Sequence, residues 1–157
     1  MLRQNAVPLF AAAVLALGAC ANDDDSTPEA CLAPAGDYLD ALEAAPGDVV
    51  LGGETPISGC LVAGQSPAEL ADAGESMIGA ATELNAAARR DPGGDDSVRL
   101  GYLVGAVQRG AAETGGIHAD LVRRLDAAAR FAPEGQRFPV SFERAYGEGY
   151  AAGQKSG

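Results

Sequence analysis

His118 is the only histidine in the chain, and it bounds the catalysis the residues can support. Imidazole is the side chain whose ordinary pKa lies near neutrality, so general acid–base chemistry would fall to it. In "IHADLVRRLDAAARF" its spacing puts it beside Leu125 and Ala129, inside the apolar arc of a helix. It also follows Gly115-Gly116 closely, near a helix N-terminus whose positive dipole end favours the neutral ring. This pattern predicts a buried histidine bonded to a neighbour's carbonyl or carboxylate, with a general base as the alternative. Ser76 in "GESMIG" resembles a nucleophile elbow only superficially, because the second glycine is one place late and the serine falls mid-helix. Metalloprotease, zinc-cysteine, phosphate-loop and complete calcium-loop patterns do not occur. Asp95 and Asp96 of "DPGGDDS" are expected to cap a helix rather than hold calcium. No catalytic, metal-ligating or cofactor-binding residue is therefore assigned, and the expectation is a protein that is not an enzyme. Tyr102, Tyr146 and Tyr150 could line a groove for a peptide or glycan, though aromatics at helical spacing ordinarily close a core.

These residues need elements to position them. "SPAELADAGESMIGAATELNAAARRDPGG" carries the strongest helix signal. Ser66 and Glu69 form a capping box, and Pro67 sits at the first helical position. Glu69, Asp72 and Glu75 lie toward the positive end of the dipole, Arg89 and Arg90 toward the negative end. Leu70, Met77 and Leu84 recur at heptad spacing until Asp91-Pro92-Gly93-Gly94 stops the helix after about 24 residues. The next helix places Leu100, Leu103, Val104, Val107 and Ala111 on one arc, with Gly101 and Gly105 on its flank. Glycine costs a helix about 1 kcal/mol against alanine, so close approach by another backbone is expected there. A third helix follows Gly115-Gly116, with Ile117, Leu121, Leu125, Ala128 and Ala129 as its buried arc. A last one spans "SFERAYGEGYAAG", with Phe142, Ala145, Tyr146, Gly149 and Gly153 on one face. Upstream, "GDYLDALEAAPG" predicts a helix of about two turns, capped by Asp37. "DVVLGGETPISGCLVAGQ" reads as loops with a brief strand at Val49–Leu51.

The N-terminus has a different design. Met1–Asn5 carries one positive side chain, Arg3; Ala6–Leu17 is apolar apart from Pro8; Gly18 and Ala19 are small. Those three zones define a secretory signal peptide. The apolar run is about a dozen residues long, short of the roughly 20 that a membrane-spanning helix needs. Its last residues, "LGAC" (Leu17 to Cys20), resemble the lipobox of bacterial lipoproteins. The resemblance covers residues 1–20 only. It implies a diacylglyceryl group on the Cys20 sulfur, cleavage just before that cysteine, and an acylated, palmitate-type N-terminus. One acyl chain alone binds a bilayer reversibly, whereas two or three hold it essentially permanently.

Two cysteines then remain, Cys31 and Cys60. Outside the cytoplasm such a pair is expected to form a disulfide; the spacing lacks the C-x-x-C of redox pairs. Closing this loop stabilises a fold by roughly 3–4 kcal/mol on the chain-entropy model. The formal net charge of −11 argues against nucleic acid, whose phosphates demand a positive footprint. Residues 21–96 hold 16 acids and 2 bases, residues 97–157 only 6 acids and 8 bases. Together these features predict a signal peptide at 1–19, a lipidated acidic tether at 20–30 and a single helical domain at 31–157. Its fold class is all-α: a small bundle of about four helices with Ala/Gly-rich packing (66–157) and a loop-rich, disulfide-stapled N-terminal part (31–65). The expected role is a non-catalytic interaction, assembly or structural component of the bacterial envelope. It would be held on the extracytoplasmic side of the cell or outer membrane by lipid on Cys20, facing an envelope protein partner. The alternatives are a ligand-binding lipoprotein with a pocket between helices, or an envelope enzyme using His118.

Overall fold

The structure, a computed structural model, describes residues 26–131 and 138–157. Cys20 and the lipobox lie outside the described residues. Five α-helices appear among them: α1 (Ala35–Leu42), α2 (Pro67–Ala88), α3 (Asp95–Glu113), α4 (Ala119–Ala128) and α5 (Val140–Ser156). The domain is all-α, with five helices rather than about four. The fifth is α1, the short helix expected in the stapled N-terminal part, which packs on α2. Short 3-10 turns at Glu29–Leu32 and Ile57–Cys60 flank a two-stranded antiparallel ribbon, β1 (Val50–Leu51) against β2 (Thr55–Pro56). Val50 pairs with Pro56 and Leu51 with Thr55. Gly52 and Gly53, both at positive φ, make the turn between them.

The capping box of α2 forms as the sequence predicts: the Glu69 N–H donates to Ser66 Oγ, and the Ser66 N–H donates to Glu69 Oε2. The other two expected caps do not. α1 begins at Ala35 after Pro34, so Asp37 sits inside its first turn. α3 begins at Asp95 after Gly94, with Asp95 and Asp96 likewise inside. A carboxylate one turn in still meets the positive dipole end, which is why acids occur there without capping geometry.

α3 is the central element. Leu100, Leu103, Val104 and Val107 are fully or almost fully buried, and α1, α2, α4, α5 and the Ile57–Cys60 turn all pack on it. The glycine flank meets α5 backbone to backbone. A Cβ added at Gly101 would strike the Tyr146 carbonyl, and one at Gly149 the Val98 carbonyl. Gly105 and Gly153 repeat the contact one turn along, against Tyr150 and Tyr102. The expected close approach is thus satisfied by the last helix.

Cys31 and Cys60 are joined in a disulfide and lie wholly within the core. The Tyr38 hydroxyl donates to the Cys31 carbonyl at 2.8 Å, tying α1 to the staple. Packing begins before Cys31, because Thr27 is already buried.

Candidate functional site

Gly115 and Gly116 adopt positive φ and turn the chain sharply between α3 and α4. Helical phase is lost across that turn, and α4 starts only at Ala119. Ile117, expected on the buried arc, is therefore 52 % exposed, and His118 takes the inward place, with no exposed surface at all. Its Nε2 lies 2.8 Å from Gln65 Oε1 and its Nδ1 2.6 Å from Thr114 Oγ1. Gln65 Nε2 also donates to the Cys60 carbonyl at 3.1 Å and to Thr27 Oγ1 at 3.0 Å. A backbone carbonyl can only accept, so the amide must present its oxygen to the ring. His118 is then the Nε2–H tautomer, and Nδ1 accepts from the Thr114 hydroxyl. Burial pushes the imidazole pKa below its ordinary value.

The expected buried histidine is present, held by a neighbour's carbonyl, that of the Gln65 side-chain amide, and by the Thr114 hydroxyl. Through Gln65 the ring is linked to Thr27 and the Cys60 carbonyl, and through Thr114 to the end of α3. Both nitrogens are occupied and the ring has no access to solvent, so His118 is not positioned to exchange a proton with a bound molecule. Gln65 was not legible as its partner, because 53 residues separate them and no motif links them.

The tyrosines divide. Tyr102 is fully buried, and its hydroxyl accepts the Val49 N–H at 3.4 Å. Tyr146 and Tyr150 belong to a ring stack that the sequence reading missed. Phe131, just beyond α4, stacks on Phe142 with centroids 4.0 Å apart. Phe138 lies 5.7 Å from Phe142, Tyr146 5.4 Å from it, and Tyr150 6.3 Å from Tyr146. A cavity of about 310 Å³ opens on this stack between the end of α4 and the start of α5, edged by Asp126, Arg130 and Glu143. Burial first, then the charges of Asp126 and Tyr150, push the Tyr146 phenol up to about 12, so it stays a neutral hydroxyl. The Tyr150 hydroxyl donates to Gln108 Oε1 at 2.6 Å, and Gln108 Nε2 donates to Asp126 Oδ1 at 3.2 Å. These bonds brace α5, α3 and α4 around the stack.

His118 lines neither this cavity nor the four others described. The structure therefore does not bring His118 and the tyrosines into one pocket. Ser76 edges an open acidic cavity beside Asp72 and Glu75, with no histidine or lysine in its lining. Among the described residues no three of His, Cys, Asp and Glu converge as a metal ion requires, and no helix is long and apolar enough to cross a membrane.

Compared with known protein families, curated proteins and solved structures, the chain has no match.

Proposed function

We propose that this chain is a lipid-anchored lipoprotein of the bacterial envelope whose helical body acts as a non-catalytic interaction or assembly module. The observation that carries the location is the buried Cys31–Cys60 disulfide. Disulfides persist in oxidising compartments and are rare in the cytosol, so this bond supports export independently of the lipobox. The acids of α1 and α2 solvate exposed helix faces, while lipid on Cys20 supplies membrane affinity. Anchoring raises the local concentration of the body, so a weak contact with an envelope partner suffices. His118 supports the non-catalytic role, since its ring is spent on bracing the fold. To test this, wild-type and Cys20→Ser chains are expressed with labelled palmitate and the cells fractionated. Label in the wild-type chain alone, with the variant lost from the membrane fraction, is the expected result. A Cys20→Ser chain that stays membrane-bound and labelled would contradict it.

A second reading, capture of a small ligand, is favoured by one feature. The cavity on the Phe131–Phe142–Tyr146 stack has the size and apolar lining of a modest ligand site. Protection of these rings when a glycan or apolar peptide library is titrated in would select that reading.

A further inference from the structure

The tether and the body meet at one end of α2. Thr27 is fastened to Gln65, and Gln65 to His118. Ile117, the residue before that histidine, is half exposed and shares a groove of about 190 Å³ with Pro67, Leu70 and Leu121. From Cys20 to Thr27 there are seven peptide links, about 25 Å at full stretch. The aromatic stack lies at the other end of α2. Asn85 Nδ2 donates to the Ala128 and Arg130 carbonyls, and Phe131 follows directly. Gln65 and Asn85 are about 30 Å apart along the helix axis at ~1.5 Å per residue.

We propose that the end of the body formed by Pro67, Leu70 and Ile117, floored by the buried Leu121, is the face that rests on the bilayer bearing the Cys20 lipid. This rests on the lipoprotein reading above. The argument is one of reach. The Ile117 groove adjoins the point where the tether is pinned, so it stays near the bilayer whichever way the body swings. The aromatic end touches the bilayer only when the body lies flat. Apolar side chains at the interface then lose water to the acyl boundary. Arg124 edges the groove, and among the described residues no carboxylate pairs with it, which leaves it to meet a headgroup phosphate. Asp120, also at the edge, is paired with Arg123.

The chain contains no tryptophan, so a single one introduced by substitution reports alone. Ile117→Trp and Val140→Trp chains, the latter at a site 75 % exposed near the aromatic end, are purified from host membranes. They are reconstituted into phosphatidylcholine vesicles whose acyl chains carry bromine near the headgroup. Both sites are exposed, so both variants keep the wild-type melting temperature. We expect the Ile117→Trp chain to lose most of its emission and shift to the blue, and the Val140→Trp chain to keep most of its own. Intact mass on the same preparations reads acylation of Cys20. An acylated chain quenched no more at 117 than at 140 would overturn the proposed face alone. A chain without acyl groups, quenched at neither site, would overturn the lipoprotein reading and this face with it.

Discussion

His118 sits where two hydrogen bonds satisfy it and no water reaches it. Acceptors do not oppose its protonation, because a second N–H could donate to Thr114. Desolvation opposes it, and lowers the pKa of the folded state. The unfolded chain takes the proton at about 6.5. The stability owed to the neutral ring is therefore complete above that value and is lost as the pH falls toward the depressed folded pKa. Denaturant unfolding followed from pH 7.5 down to 5.5 should show wild-type stability falling, and a flatter profile for His118→Ala. That variant should also lose about 2–4 kcal/mol at neutral pH, from the cavity and from the stranded amide and hydroxyl. A wild-type profile as flat as the variant's would contradict this account. The Cys31–Cys60 bond makes a second prediction at this scale. Cys60→Ala should cost roughly 3–4 kcal/mol, a drop of about 10–20 °C in Tm, visible in calorimetry and mimicked by reductant.

The contact between α3 and α5 depends on having no side chain at four positions. A Cβ at Gly149 would lie against the Val98 carbonyl and one at Gly101 against that of Tyr146, and neither helix can retreat without uncovering its core face. Gly149→Ala should therefore destabilise by at least ~3 kcal/mol. Gly147, two residues earlier on α5, has nothing within 4 Å. There, Gly147→Ala should stabilise by about 0.5–1 kcal/mol, since alanine is the better helix former. Equal melting temperatures for the two variants would refute the close-packed contact. Much of this was legible before the fold, because capping boxes and misplaced glycines act through the local backbone. The pairing of α3 with α5, and of His118 with Gln65, was not, since both cross long stretches of chain. Ile117 was misplaced because a helical wheel assumes unbroken phase, and Gly115-Gly116 break it. The aromatic stack escaped notice because Phe131 and Phe138 stand outside helices, where no periodicity marks them.

At the scale of the molecule, one contiguous core runs from Cys31 to Phe142, and the chain entering it is pinned at Thr27. The staple and the pinned Thr27 lie at one end of the body, the end nearer the proposed anchor. The acid-rich half of the chain gives no electrostatic hold on anionic lipid, so in the proposed reading membrane residence falls to a thioether at Cys20. That thioether is the central claim, and intact mass spectrometry of the chain taken from native membranes tests it most directly. The account predicts an N-terminus at Cys20 bearing diacylglyceryl and acyl groups, with the Cys31–Cys60 bond oxidised. A chain that begins at Met1, or at an unmodified Cys20, would contradict it.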